Sequence, residues 1–181
     1  MKKGTVVLLC LPMLWLATAC GSMHSNANMA TMPGALSAND VAGIVATANE
    51  GEIQEGQAAA PRATSAEVRA FAQMMVSDHT AALTAARDAF ARNNVTPAEN
   101  DTMRTLREGA QRTVTNLATY NGAAFDRMYM QSQVDVHQWL LTTMDTVLIP
   151  SSRGEMRTLL ETQRAAVASH LDRARQIRAG L

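Results

Sequence analysis

The chain has 181 residues, enough for one domain with a sizeable hydrophobic core. Its 16 basic and 16 acidic side chains balance, so no basic surplus indicates a nucleic-acid partner. Aromatic residues are scarce, while alanine, methionine, leucine, glutamine and arginine are frequent, a composition that favours helices. We therefore expect a single all-α domain.

The amino terminus has the features of a bacterial lipoprotein signal peptide over residues 1–19. Two lysines precede an apolar run from Thr5 to Leu16, which is too short to span a bilayer. Small residues then lead to Cys20, as in a lipobox, where cleavage leaves a lipidated cysteine as the first mature residue. Gly21 stands where an aspartate would retain the protein in the inner membrane, so sorting to the outer membrane is favoured. The alternative is an ordinary secretory signal that is cleaved after Ala19.

Residues 20–36 predict a flexible tether between the lipid anchor and a folded domain. Serine, asparagine and glycine are frequent there, and neither the methionines nor His24 follow a helical period. Because Cys10 lies in the removed segment and Cys20 carries the lipid, the mature domain has no thiol left. Disulfides, cysteine nucleophiles and cysteine-based metal sites are therefore excluded. We expect a domain over residues 37–181 that faces the periplasm, with the membrane as a partner through Cys20.

Hydrophobic spacing predicts a first helix from about Ser37–Asp40 to about Ala60, before Pro61. Its early apolar stripe continues onto Glu52 and Glu55, so two carboxylates fall on the inward side of this helix. A carboxylate that is buried needs a hydrogen-bonding or charged partner.

Capping boxes predict the starts of the second, third and last helices, at Thr64–Glu67, Thr96–Glu99 and Ser152–Glu155. The third helix, to about Leu117, is shorter and more polar than the others, and we interpret it as a crossover outside the core. Asn121-Gly122 breaks the chain before the fourth helix, which ends ahead of Pro150. The prediction is an all-α, ferritin-like four-helix bundle with an extra short crossover helix.

Three histidines fall on the apolar faces of three different long helices. They are His79 on the second helix, His137 on the fourth and His170 on the last. Asp78 is adjacent to His79 and therefore lies near the flank of its helix. The four long helices thus each direct a polar group inward, the fourth group being Glu52.

The inward face of the fourth helix carries further polar residues. Asp126, Gln133 and His137 lie at helical spacing with Met130 between them, and Tyr129 lies beside that line. These groups are candidates for a polar layer within the bundle.

An ordered set of short segments runs from about Asn39 to Ala174. The segments are Asn49–Ile53, Val68–Ala72, Met75–His79, Phe125–Tyr129 with Val134 and His137, and His170–Leu171. Together they resemble the family called domain of unknown function 4142, whose members are described as predicted outer-membrane proteins with a ferritin-like fold. The resemblance implies that the family's recurring polar residues fall on Glu52, Asp78, His79, Asp126, His137 and His170, and that position 55 is usually apolar. It implies no reaction.

Two interpretations of the polar residues remain open. In the first, one carboxylate and three imidazoles bind a transition metal. These ligands are Glu52, His79, His137 and His170, with Asp126 as an outer partner. In the second, the histidines form a structural hydrogen-bonded network with the other buried polar groups, Asp78, Asp126 and Tyr129. A ferritin-like di-iron site is not indicated, because the chain has no Glu-x-x-His motif.

The methionines and serines add one further alternative and one exclusion. Met75, Met130 and Met144 lie at helical spacing from histidines, which fits either copper(I) binding or ordinary core filling. No serine lies in a Gly-x-Ser-x-Gly context, and no glycine-rich phosphate loop occurs. We therefore expect a non-enzymatic binding or structural module of the cell envelope, with an envelope protein as partner and a role in envelope stress. The alternative is a metal-binding or redox bundle.

Overall fold

The computed structural model describes residues 36–181, and all regular structure in that range is helical, which confirms the all-α prediction. The predicted signal peptide, Cys20 and the tether up to residue 35 lie outside the described residues. Within residues 36–181, no helix is both long enough and apolar enough to cross a membrane. The elements are α1 (Ala38–Ala59), α2 (Ala66–Arg92), α3 (Asp101–Leu117), α4 (Gly122–Thr143), a π-helical segment (Met144–Leu148), α5 (Ile149–Ser151) and α6 (Gly154–Ala179).

The boundaries of α1 agree with those predicted from the sequence, whereas the predicted starts of α2, α3 and α6 are shifted. α1 begins after Ser37, whose side chain accepts from the Asp40 amide while the Asp40 carboxylate accepts from the Ser37 amide. α2 starts one residue later than predicted, because Ser65 caps it and the Thr64 side chain bonds elsewhere.

The start of α3 is shifted further, from Thr96 to Asn100. The Thr96 and Ala98 amides bond to the side chain and backbone oxygens of Asn39, so this stretch is held against α1 until Asn100 caps the helix. At α6, the predicted cap residue is replaced by Arg153, which makes no side-chain cap hydrogen bond. The carboxylate of Glu155 instead bonds Arg92 at the end of α2.

The five long helices form a closed ring of neighbours. α1 packs against α2 and α3, α2 against α6, α6 against α4, and α4 against α3. The expectation that α3 is only a crossover is therefore wrong, because α3 forms part of the wall and buries Met103, Ala110 and Leu117. α1 and α2 approach closely at Gly56, where a Cβ would lie 2.9 Å from the Ala72 carbonyl oxygen.

The apolar core is divided into two clusters by a layer of buried polar residues. One cluster includes Ile44 and Leu140, and the other includes Phe71 and Phe125. On α1, α2, α4 and α6 alike, polar side chains lie between the apolar residues of the two clusters. This polar layer consists of Asn49, Glu52, Glu55, His79, Gln133, His137 and His170.

Candidate metal centre

The three histidines predicted on separate helices meet in the polar layer. The ring centroids are 5.9 Å apart for His79 and His137, 5.3 Å for His79 and His170, and 5.5 Å for His137 and His170. One ring nitrogen from each residue lies within 4.8 Å of the other two. All three side chains are buried, and His137 is fully enclosed. The helices α2, α4 and α6 therefore place three imidazoles around one point.

Each imidazole is held by one of its two nitrogens. Nδ1 of His79 lies 2.9 Å from Oδ1 of Asn49. Nδ1 of His137 lies 2.9 Å from the backbone carbonyl oxygen of Gln133, one turn earlier on the same helix. Nε2 of His170 lies 3.0 Å from Oδ2 of Asp78. All three partner atoms are oxygen acceptors, so the nitrogens facing them carry the hydrogen and donate.

The remaining nitrogens have no hydrogen-bond partner among the described residues. They are Nε2 of His79, Nε2 of His137 and Nδ1 of His170. Because the opposite nitrogen of each ring is the donor, each of these atoms presents a lone pair. Three buried lone pairs therefore lie on neighbouring rings with no protein donor to satisfy them.

The electrostatics of the layer keep the histidines neutral. Burial and, to a smaller extent, the neighbouring His137 and His170 lower the pKa of His79 to about 3. Burial also lowers the pKa of His137 to about 4. The pKa of His170 is lowered by burial as well, although the hydrogen bond to Asp78 opposes this. Neutral imidazole is the form that binds metal ions.

Two carboxylates from α1 lie beside the histidines. Glu52 and Glu55 are 2% and 4% exposed, one helical turn apart. Nε2 of Gln133 donates to Oε2 of Glu55 at 3.0 Å, whereas Oε2 of Glu52 has no partner in residues 36–181. Glu52 does not belong to the group of three mutually close histidines. Its role as a fourth ligand stays a prediction.

Burial changes the acidity of these groups in the direction that favours their protonated forms. Burial raises the pKa of Glu52 to about 7, against the effects of Gln133 and His170. Burial and the neighbouring Glu52 raise the pKa of Glu55 well above its usual value. The pKa of Tyr129 is also raised by burial and by both carboxylates, so its hydroxyl stays protonated.

Asp126 and Asp78, both predicted as polar partners, lie in different places. Asp126 is 1% exposed and accepts from the Thr64 amide at 3.0 Å, the Ser65 amide at 2.8 Å and the Thr64 hydroxyl. It therefore anchors the start of α2 to α4. The Asp78 side chain is half exposed, on the flank of α2 as expected, and reaches His170.

A small apolar cavity of about 60 Å³ adjoins the histidines on the side away from Glu52 and Glu55. Its wall includes His79, His170 and the thioether-bearing Met144. Met75 and Met130, the other methionines considered for copper(I), are buried in the apolar cluster at the opposite end. Of the three methionines, Met144 is thus the one that shares a cavity with two of the histidines.

The sequence analysis placed Glu52, Glu55 and Gln133 on inward faces but gave no role to Asn49, which holds His79. It also did not predict that Gln133 bonds Glu55, a buried residue at a position where the resemblance favours an apolar one. Asn49, Glu52 and Glu55 follow one another at three-residue intervals on α1. That spacing is the signal that could have added Asn49 to the inward polar face.

The fold and the site define a helical-bundle domain with a buried histidine centre. A family model, domain of unknown function (DUF4142), matches residues 23–177, and the chain belongs to that family. No curated protein matches the chain. No solved structure matches it either.

Proposed function

We propose that this chain is a non-enzymatic metal-binding module whose three histidines hold one transition-metal ion. The ligand atoms are Nε2 of His79, Nε2 of His137 and Nδ1 of His170. The observation that carries the proposal is that these three buried nitrogens have no hydrogen-bond partner within residues 36–181. Imidazole nitrogen suits zinc, copper, iron and nickel, which gives the class of the ion.

The pattern of hydrogen bonds favours a metal over a purely structural network. In a structural network the buried polar groups satisfy one another, because an unpaired buried group costs about 1–3 kcal/mol. Here the rings instead present lone pairs to one another, and a cation is the ligand that satisfies all three. Asn49, the Gln133 carbonyl and Asp78 hold the outer nitrogens, as the outer partners of metal-binding histidines do.

The proposed setting of this module is the cell envelope. The lipobox at Cys20 supports a lipoprotein of the outer membrane whose domain faces the periplasm. α1 packs against α2 and α4 packs against α6, and α3 connects these two pairs along the chain. This connectivity supports a ferritin-like arrangement. A role in envelope stress and an envelope protein partner are part of the same proposal.

Labelling with a radioactive fatty acid tests the anchor. In a Gram-negative host, the wild-type chain and a Cys10→Ser control should incorporate label, and Cys20→Ser should not. Label retained by Cys20→Ser would contradict the lipoprotein assignment. Release of an unlabelled wild type into the periplasm would support the ordinary secretory signal.

Elemental analysis tests the metal site. The protein is purified without a histidine tag from metal-replete cells, and bound metals are measured by mass spectrometry. We expect an ion bound in the wild type at close to one per chain, and loss of that ion in His79→Ala/His137→Ala. His24→Ala is the matched control, because it removes a histidine from outside the bundle domain and should leave the metal content unchanged. A wild type free of zinc, copper, iron and nickel, even after incubation with each ion, would overturn the proposal.

A further inference from the structure

We propose that Glu52 and Glu55, together with Gln133 and Tyr129, form a second cation site for a small, hard divalent ion such as Mn²⁺. This oxygen site lies next to the three histidines and takes a different class of ion. Its proposed ligand atoms are the two carboxylates and Oε1 of Gln133, with the Tyr129 hydroxyl as a neutral ligand or as a donor to a carboxylate. The inference goes beyond the histidine site and does not depend on it.

The first support is a set of buried oxygen atoms that have no partner. Oε2 of Glu52, Oε1 of Gln133 and the Tyr129 hydroxyl are all buried without a hydrogen bond among residues 36–181. Tyr129 and Gln133 are 0% exposed, so surface water does not reach these atoms. An unsatisfied polar atom in the core is unfavourable, and three of them on neighbouring turns of α1 and α4 favour a shared ligand.

The second support is that these residues lie on two stretches of α1 and α4 that a hydrogen bond joins. The amide group of Gln133 reaches Glu55 through its Nε2 at 3.0 Å and also lowers the pKa of Glu52 through a hydrogen bond. Tyr129 lies one turn before Gln133 on α4, and its hydroxyl is close enough for both carboxylates to raise its pKa. α1 therefore supplies two carboxylates and α4 supplies the amide and the phenol.

The third support is the balance of charge. Neither Glu52 nor Glu55 has an ion pair with an arginine of the described domain, although exposed carboxylates on several helices do. A buried carboxylate without a cation must take up a proton or bear a large desolvation penalty. Two carboxylates neutralise one divalent ion, so the loaded site carries no net charge.

The donor atoms determine the class of ion. Carboxylate, amide and hydroxyl oxygens suit Mg²⁺, Ca²⁺ and Mn²⁺, whereas imidazoles suit the later transition metals. The side chains offer too few oxygens for the six to eight ligands of Ca²⁺, so a smaller ion that completes its shell with water fits better. Mn²⁺ is the appropriate probe, because its electron paramagnetic resonance signal distinguishes free from bound ion.

The experiment measures Mn²⁺ binding to the full-length protein in detergent after all metals have been removed. A buffer of about pH 8 is used so that protons compete weakly, since the pKa of Glu52 is raised to about 7. We expect the wild type to bind Mn²⁺ and Glu55→Gln to bind it at least about 10-fold more weakly. Glu50→Gln, a half-exposed position on the same helix, is the matched control and should bind like the wild type.

A second pair of variants separates this site from the histidine site. His79→Ala/His137→Ala should retain Mn²⁺ affinity to within about threefold, whereas Glu55→Gln should weaken Mn²⁺ binding and leave zinc binding intact. Tyr129→Phe keeps the ring in the core and should lower Mn²⁺ affinity without unfolding α4. Circular dichroism establishes that each variant is folded.

Three results would overturn the second site. In the first, wild type and Glu55→Gln both fail to bind Mn²⁺, which would make the carboxylates a protonated pair. In the second, Mn²⁺ binding disappears with the histidines and survives in Glu55→Gln. In the third, Glu55→Gln loses zinc as well as Mn²⁺, which would make the carboxylates part of the histidine site. None of these results removes zinc binding by the wild type, so the proposed function is judged separately.

Discussion

Asp126 and His137 are two buried polar residues of α4 that differ in how far their hydrogen-bonding atoms are satisfied by the surrounding chain. Asp126 is 1% exposed and accepts three hydrogen bonds from Thr64 and Ser65. His137 is equally buried, and one of its nitrogens has no partner in the described domain. Both residues recur in the family resemblance, yet only one of them is satisfied by the fold.

The difference separates a structural role from a binding role. The hydrogen bonds of Asp126 are complete within the folded chain, so its charge serves to fix the start of α2 against α4. The free nitrogen of His137 instead faces two other imidazoles that are likewise unsatisfied. Burial alone therefore does not favour a binding role, whereas burial together with an atom that has no hydrogen-bond partner does.

The strongest test of this comparison is whether an ion stabilises each variant. For the wild type, an ion at about a thousand times its dissociation constant should add about 4 kcal/mol to the free energy of unfolding. His137→Ala should lose this gain, and Asp126→Ala should keep it, since Asp126 touches no histidine ligand. Urea unfolding with and without zinc measures both. An ion-induced gain that vanishes in Asp126→Ala would break the comparison.

The next largest effect is the loss of stability of the metal-free protein when the Asp126 hydrogen bonds are removed. Asp126→Ala strands two amides and a hydroxyl at the start of α2 and should lower the free energy of unfolding by about 3 kcal/mol. Asp135→Ala on the same helix is the control, because Asp135 is exposed and its carboxylate accepts from the side chain of Gln131. A loss of similar size in both variants would contradict the role of Asp126.

A smaller effect is expected at the outer partner of His170. Asp78→Asn weakens the hydrogen bond to Nε2 and should raise the metal dissociation constant by about 10- to 100-fold, with little change in helix content. Asp88→Asn, an exposed position on the same helix, is the control for the lost charge. Competition with a chromogenic chelator gives the constants. An unchanged affinity in Asp78→Asn would mean that this hydrogen bond does not tune the site.

The smallest effect is a pH dependence of the metal-free protein. Because the pKa of Glu52 is raised to about 7, folded Glu52 holds a proton that the unfolded carboxyl releases above its ordinary value near 4.5. The stability contributed by this proton is present at low pH and is lost as pH rises toward 7. Between about pH 5.5 and 6.5, Glu52→Gln should therefore gain about 1 kcal/mol relative to the wild type.

Unfolding by urea in the presence of a chelator at several pH values measures this change. Glu50→Gln on the exposed side of α1 controls for the loss of one carboxylate. A constant difference between wild type and Glu52→Gln across the range would show that Glu52 is ionised in the fold.

Periodicity predicted several of the polar residues that face the core. The first helix, the inward positions of Glu52 and the three histidines, and the flanking position of Asp78 all follow from spacing along single helices. Those features depend on the spacing of residues along one helix, which the sequence of that helix alone determines.

The heights of the histidines along the bundle could not be predicted in this way. Spacing fixes the side of a helix on which His79 or His170 lies, but not how far one helix is shifted along the next. That shift depends on contacts between residues that are distant in sequence, such as Asn49 with His79 and Asp78 with His170. The mostly polar sequence of α3 likewise did not indicate that its few buried residues pack between α1 and α4.

The origin of the three imidazoles has a consequence for amide hydrogen exchange. The three histidines proposed as ligands come from α2, α4 and α6. An ion would therefore link three helices that are distant in sequence, while α1 holds His79 through the Asn49 hydrogen bond. Local opening of α2, α4 and α6 near their midpoints would require release of the ion. Their central amides should exchange much more slowly when the ion is bound, and those of α3 should change least.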